Sequence, residues 1–347
     1  MPSTSRVTVA ILALLACLFV FRLFAVLPDS SPLVSVRIEP FNVSGEQRVR
    51  LRRLLACWAE EGTWVRRGDA SPHVLWTPGA RCGDGEMESR CGPVESRGEA
   101  VRYQWVPSPS CAVATPDWNR TVVAEVLGPP PVGIEAVGDS VSGEFASTLR
   151  AALDCGHPSG IAVGHQRNDR LSMGPTVKDD ARNFFDYAFY PLGRHVRAVV
   201  LNRGAHYEET PRVLEAVDAL VTALWRDRPD LLVVYRSTAP GHPGCGGHQH
   251  DAPLRPSDLP LAQTNQTQAY HWADLPAQND AVRRLLETRH PHVLFLDVAP
   301  MTALRRDSHW STHDCLHYCS PGPIDAWVEA FGRLLYALRE AAHGRLS

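Results

Sequence analysis

The sequence predicts an α/β domain with a mostly parallel sheet, set behind a loop-rich, disulfide-stapled N-terminal lobe and a transmembrane anchor. Three observations carry that expectation. Beyond residue 130, short apolar runs alternate with longer amphipathic ones, a pattern that lays helices over both faces of a parallel sheet. Eight cysteines, at positions 57, 82, 91, 111, 155, 245, 315 and 319, form an even set apart from Cys17, which in a translocated chain reads as four disulfides. Residues 7–27 are apolar except for Thr8 and Arg22, a stretch about 20 residues long and sufficient to span a bilayer core.

Length and charge narrow the classes. The 347 residues suffice for one large α/β domain with a smaller appendage. A net charge of −3 with scattered arginines excludes a basic nucleic-acid-binding stripe. One lysine, Lys178, stands against 34 arginines, a bias that reads as a GC-rich genome more readily than as anion binding.

From the N-terminus, residues 1–6 read as a cytoplasmic tail and 7–27 as an uncleaved signal anchor, with a cleaved signal peptide as the alternative. Arg22 lies near its outer end, where its stem reaches the headgroups, and no small-residue cleavage pattern surrounds Phe24-Ala25-Val26. A Pro/Ser-containing stem follows at 28–44. Sequons at Asn42, Asn119 and Asn265 agree with a lumenal remainder.

Residues 45–130 make up the Cys-rich lobe. Glu46 to Glu60 has helical periodicity through Val49, Leu51, Leu54, Leu55 and Trp58, and residues 61–130 are rich in Gly, Pro and Cys. Gly128-Pro-Pro-Pro-Val-Gly133 punctuates the chain. Residues 131–347 then read as strand Ile134–Val137, helix Glu144–Leu153, strand Val196–Leu201, helix Val213–Trp225, strand Leu231–Tyr235, helix Asp280–Thr288, strand Val293–Val298 and helix Ile324–Ala342. The polar segment Gly241–Gln268 is long for a connection and is a candidate site loop.

Two short motifs bear chemistry. Gly138-Asp139-Ser140 follows a strand and precedes a helix, which projects a serine hydroxyl at the carboxyl end of the sheet with a helix N-terminus to face an oxyanion. An ordinary N-cap would leave the same trace. Asp314-Cys-Leu-His317 spaces a carboxylate and an imidazole on one side of a turn, so that one ring nitrogen is held and the other is free to take a proton. Nucleophile early and Asp-x-x-His late is the order of the SGNH (GDSL-type) hydrolases.

Within that superfamily the sequence resembles the plant trichome-birefringence-like and related PC-esterase group, from Cys57 to the last helix. The resemblance rests on Cys57-x4-Gly62-x-Trp64-Val65, Cys82, Cys91, Tyr103-x-Trp105-x-Pro107, Cys111 and Val137-Gly-Asp-Ser140. It continues through Leu201-Asn-Arg-Gly-Ala-His-Tyr207, Tyr235-Arg-Ser-Thr-Ala-Pro-Gly-His242, and Arg306-Asp-Ser-His309. It ends in Asp314-Cys-Leu-His-Tyr-Cys-Ser-Pro-Gly-Pro-Ile-Asp-Ala-Trp327.

The resemblance implies an SGNH-type three-layer α/β/α domain that transfers acetyl groups to polysaccharide hydroxyls through an acetyl-enzyme. It further implies a single-pass type II Golgi membrane protein with its catalytic domain in the lumen. Ser140, His317 and Asp314 would be the triad. Gly138, Asp139, Asn202, Gly204, His206, Arg236, His242, Arg306, Asp307 and His309 are the oxyanion and substrate candidates. Implied disulfides are Cys57–Cys111, Cys82–Cys155, Cys91–Cys319 and Cys245–Cys315. No metal or nucleotide cofactor is required; the implied partners are a glycan acceptor, an acetyl donor and the membrane. A carbohydrate acetylesterase and a non-catalytic glycan-binding protein are the alternatives.

Two departures stand out. Cys155 falls about one helical turn later than in the family, which keeps it on the same helix face. Where relatives carry an arginine just after the nucleophile, this chain has Ser142, Gly143 and Glu144, so Gly143 and Glu144 are expected to bear on donor choice. Cys245, His248, His250 and Asp251 are metal-ligand types, although a disulfide suits Cys245 better. Phe184, Phe185, Tyr187, Phe189 and Tyr190 form either a buried cluster or a sugar-stacking surface.

Overall fold

Ser44 starts the first helix, α1 (Gly45–Glu60), with a capping box: its hydroxyl accepts from Gln47 N–H and the Gln47 side chain accepts from Ser44 N–H. The computed structural model describes residues 44–68, 91, 94–111, 120–154, 160–181, 183–247, 251–259, 270–311 and 313–343. The expected tail (1–6), anchor (7–27) and most of the stem (28–44) lie outside the described residues. So do Asn42, Asn119, Asn265, His248, His250 and the pair Cys82–Cys155. Among the described residues no helix is long and apolar enough to cross a membrane.

After α1, strand β1 (Gly62–Arg66) pairs antiparallel with β2 (Tyr103–Pro107), and helix α2 covers Arg120–Leu127. The segment 61–130 therefore holds more regular structure than its Gly/Pro content suggests. Its tryptophans fix it. Trp58 Nε1 donates to Cys111 O, Trp105 Nε1 to Trp58 O and Trp64 Nε1 to Met301 O, so three large rings are buried or half-buried with their polar edges satisfied. Cys57–Cys111 staples the same region.

The main sheet has the order β4-β3-β7-β8-β9, with β3 at Val132–Gly138, β4 at Ile161–Arg167, β7 at Val196–Leu201, β8 at Leu232–Arg236 and β9 at Leu294–Leu296, while β5 (Val177–Asp179) and β6 (Phe184–Asp186) form a separate antiparallel pair. Every neighbouring pair is parallel. Helices α3 (Ser140–Asp154), α4 (Thr210–Asp227), α5 (Leu275–Arg289), the short α6 (Ala299–Ala303) and α7 (Pro323–Ala342) make the connections and the outer layers. The period of two along each strand divides the core. Ala198 and Val200 face one cluster with Leu51, Phe145, Trp327 and Phe331. Val199 and Leu201 face the other with Val213, Val217, Val282 and Leu286. This is the three-layer arrangement expected from the alternating pattern, and residues from both sides of position 130 share the first cluster.

Strand β4 was not expected. Only its first half is apolar (Ile161, Val163), and as the edge strand it ends in His165, Gln166 and Arg167. Its placement matters, because the chain leaves β3 for β4 on one side and returns to β7 on the other. Ligands of open α/β sheets bind where the strand order reverses in this way, and Ser140 follows β3 at that point.

Candidate active site

The nucleophile turn is built by close backbone approach. A Cβ on Gly138 would lie 2.5 Å from Ser142 Oγ and 2.7 Å from Asn202 O, so only glycine lets β3 end against β7 here. Asp139 is buried, and its Oδ1 accepts from Val141 N–H at 3.0 Å and Ser142 N–H at 3.3 Å. It thereby caps the helix that Ser140 begins. Ser140 itself is half-buried.

Ser140 Oγ lies 2.7 Å from His317 Nε2, and His317 Nδ1 lies 2.8 Å from Asp314 Oδ2. Asp314 Oδ1 also accepts from Leu316 N–H (3.1 Å) and His317 N–H (3.0 Å). Burial pushes the Asp314 carboxyl up, but the His317 side-chain and backbone donors outweigh it and hold it well below the usual carboxylate range. An ionised Asp314 only accepts, so the imidazole proton sits on Nδ1. His317 Nε2 then carries the lone pair that accepts from Ser140 O–H. The line Ser140–His317–Asp314 is complete in this structure.

The turn bearing Asp314 and His317 is held from several sides. Cys91–Cys319 and Cys245–Cys315 tie it to distant segments. Bonded to Cys315, Cys245 offers no thiolate to a metal, and Asp251 pairs with Arg306 at 3.2 Å. His309 forms an isolated antiparallel bridge with Tyr318. The Trp310 ring stacks on the His317 ring, centroids 4.3 Å apart and planes 17° apart. Local patterning gives no signal for that contact, because the bridge that brings Trp310 onto the imidazole is non-periodic.

The other candidates separate by burial. Gly204 allows close approach, since a Cβ there would run into the Thr238 side chain. Asn202 does not offer its amide to an oxyanion as expected: both Nδ2 hydrogens are engaged, by Arg236 O at 2.9 Å and Thr238 Oγ1 at 3.1 Å. Arg236 is buried over the Trp327 ring, with Nη2 donating to Ser142 Oγ. Asp307 is buried against Arg305. His242 and His309 are buried 2.8 Å from one another, and His309 Nδ1 reaches His317 O at 2.8 Å. Burial pushes His242 down to about 4 and His309 well below the ordinary imidazole range. These four side chains brace the site from within the core rather than meeting a substrate. His206 lies beside Phe184, its Nε2 4.0 Å from Asp169 Oδ2.

Glu144 also differs from expectation. A Cβ on Gly143 would sit 3.0 Å from the His165 ring. Glu144 is buried, with both carboxylate oxygens toward Tyr318 N–H at 3.3 and 3.4 Å. Glu144 is therefore not placed to meet a donor in solvent, whereas Gly143 is half-buried. Of the five aromatics at 184–190, Phe189 is buried and Tyr187 exposed, and Arg167 and Arg170 lie over Phe185 and Phe184; they do not form one flat platform.

Residues 202–337 match the family model of PC-Esterase, a GDSL/SGNH-like acyl-esterase family found in Pmr5 and Cas1p. Over these residues the chain is similar to that family. The matched segment holds Asp314 and His317, and the fold adds Ser140 from outside it. No curated protein matches the sequence. Among solved structures, this chain is similar to a protein from Streptococcus pneumonia described as a platelet activating factor, at 16% identity and TM-score 0.38 over 62% of this chain and 91% of that one. It is also similar to a GDSL-like lipase-type protein from Bacteroides ovatus, at 12% identity and TM-score 0.36 over 58% of this chain and 51% of the other. A third is a family two carbohydrate esterase from Clostridium thermocellum, at 11% identity and TM-score 0.33 over 68% and 71% of the two chains.

Proposed function

We propose that the protein is a serine-dependent O-acetyltransferase that moves an acetyl group to a polysaccharide hydroxyl. The observation that carries this reading is the unbroken line from Ser140 Oγ through His317 to Asp314. Ser140 Oγ attacks the acetyl carbonyl while its proton passes to His317 Nε2, and Asp314 holds Nδ1–H and balances the imidazolium. Ser140 N–H at the start of α3 and backbone N–H groups near Gly204 are the donors assigned to the tetrahedral oxyanion. The donor's alcohol leaves with the proton from His317. A sugar hydroxyl then attacks the acetyl-Ser140 ester, returning its proton by the same route.

Hydrolysis by water in the second step is the alternative, and one observation favours it: the Asp314 side chain is 34% exposed and His317 17% exposed, so water reaches the base. The test is the ratio of acetylated oligosaccharide to free acetate, measured with purified lumenal protein, an activated acetyl ester and a panel of glycans. Product that is almost wholly acetylated sugar supports transfer, whereas acetate alone, with every acceptor, makes the protein an esterase. Failure of Ser140 to label with a serine-reactive phosphonate removes both readings in favour of glycan binding without catalysis.

The setting we propose is the Golgi lumen, with residues 7–27 as the anchor and Asn42, Asn119 and Asn265 as glycan acceptors. The disulfides support an oxidising compartment. Carbonate-resistant membrane association of the full chain, lost on deletion of residues 1–27, tests the anchor.

A further inference from the structure

Ser140 and Glu144 are four residues apart on α3, and so lie on one face of the helix. Each meets the facing turn, and the two partners, His317 and Tyr318, are consecutive. Ser140 Oγ contacts His317 Nε2 at 2.7 Å. Glu144 accepts from Tyr318 N–H at 3.3 Å through one oxygen and 3.4 Å through the other. The helix that carries the nucleophile and the turn that carries its base are therefore joined at two points, one helical turn apart.

We propose that Glu144 is a positioning residue for the Ser140 reaction, the second of two contacts that lock the nucleophile helix to the His317 turn. This rests on the catalytic reading of Ser140 and His317 given above. The buried face of α3 packs into the core, and a second contact one turn beyond the serine hydroxyl fixes the helix against the His317 turn itself. Misplacement of reacting groups by about 1 Å costs roughly a hundredfold in rate.

The surroundings decide in which form Glu144 does this. Asp139 on its own turn, Asp314 and the Tyr318 hydroxyl on the facing segment, and Arg236 at the end of β8 all bear on the carboxyl; His317 adjoins its backbone donor. Burial pushes the Glu144 carboxyl well above its ordinary range. The Asp314 and Asp139 charges push the same way, against the Tyr318 N–H and Arg236. The neutral acid accepts from Tyr318 N–H without repelling Asp314. Its ionisation would place an anion in the core beside two carboxylates and work against the lock. The folded chain holds this proton more tightly than the unfolded one, so stability falls as pH rises from the ordinary glutamate range through Glu144's own titration.

Glutamine keeps the size and the accepting oxygen and removes the titration. The test compares wild type, Glu144→Gln and Glu144→Ala, using hydrolysis of 4-nitrophenyl acetate and thermal melting, each from mildly acid to alkaline pH. We expect wild type to lose melting temperature as pH rises from the ordinary glutamate range, and kcat as the Glu144 carboxyl ionises. Glu144→Gln should hold neutral-pH kcat within about threefold and lose that fall with rising pH in both readouts. Glu144→Ala should lower kcat by roughly 10- to 100-fold with KM little changed. Full activity in Glu144→Ala overturns the proposal, as does a fall with rising pH in Glu144→Gln equal to wild type's, or kcat in Glu144→Gln as low as in Glu144→Ala. Should Glu144→Ala not fold, the Glu144→Gln profiles decide. If no variant, wild type included, cleaves the ester, the catalytic reading fails, while melting of wild type against Glu144→Gln still reports on the buried carboxyl.

Discussion

Trp310 lies flat on His317, its ring centroid 4.3 Å from the imidazole centroid. The imidazole is thus fixed in three ways: Asp314 and Ser140 take its two nitrogens, and the indole takes one face. Trp310 is pinned by the turn it supports, since its Nε1 donates to Tyr318 O at 2.8 Å and its N–H to His317 O at 3.3 Å. When Ser140 passes its proton across, the ring becomes a cation over an indole face, an attractive arrangement. Trp310→Leu should therefore lower kcat by roughly five- to thirtyfold with KM nearly unchanged, and Trp310→Phe should keep most of it. Steady-state kinetics on an acetyl ester decide this; equal losses in both variants would show that the indole hydrogen bond, not the ring face, matters.

The three residues in line should behave as one unit. Ser140→Ala should abolish acetyl transfer and hydrolysis without harming the fold, because one half-buried oxygen contributes little to packing. His317→Ala should do nearly the same, and the double variant should be no worse than the poorer single. Ser140→Ala with activity within about threefold of wild type would remove the covalent route.

Sequence patterning reaches the frame of this protein and stops at the contacts between its parts. Val196–Leu201 is legible because a strand buried on both faces must be apolar throughout. Strand β4 is not, because its exposed edge tolerates His165, Gln166 and Arg167. The motif spacing brings Asp314 and His317 to one turn and Ser140 to a helix start, but says nothing of what lies behind them. Asn202, Arg236, His242 and His309 have the chemistry of substrate ligands and spend it on one another, on the Ser142 and Thr238 hydroxyls or on backbone carbonyls. Glu144, a charge on an amphipathic helix, reads as solvent-facing until the His317 turn is laid across it.

Asp314 sets how acid acts on the site. Burial raises its carboxyl, yet the donors from His317 and Leu316 hold it well below the ordinary range. A carboxyl depressed in the folded state contributes stability that is present above its unfolded value and lost as pH falls through its folded one. Asp314→Asn should thus lower the melting temperature at neutral pH, and the deficit should shrink as the solution is made strongly acid. Wild-type activity lost under mildly acid conditions must then come from a group other than Asp314. Melting curves of both proteins across the acid range check this; a deficit that grows toward acid pH would contradict it.

The two disulfides at the catalytic turn should matter for both stability and rate. Cys315 lies between Asp314 and His317, and Cys319 two residues beyond His317, so Cys245–Cys315 and Cys91–Cys319 bracket the imidazole. Cys91–Cys319 closes the longer loop, with a sequence separation of 228 against 70, and loop length raises the entropic cost that a crosslink removes from the unfolded chain. The segment after Cys91 adds a second tie there, with Arg97 donating to Ser320 O and Pro321 O. The double variant Cys91→Ser/Cys319→Ser should lose about 2–5 kcal/mol of stability. It should also lose kcat beyond what its unfolded fraction explains, because Cys319 N–H donates to Ser308 O at 2.7 Å and helps fix where the turn leaves His317. Cys57→Ser/Cys111→Ser should cost comparable stability with kcat per folded molecule preserved, since that bond joins α1 to the segment after β2. Peptide mapping without reduction establishes the pairs in the purified protein, and denaturant melts with kinetics on the folded fraction separate the two effects. Free thiols at 315 and 319 in active protein would show that the turn holds its geometry without them.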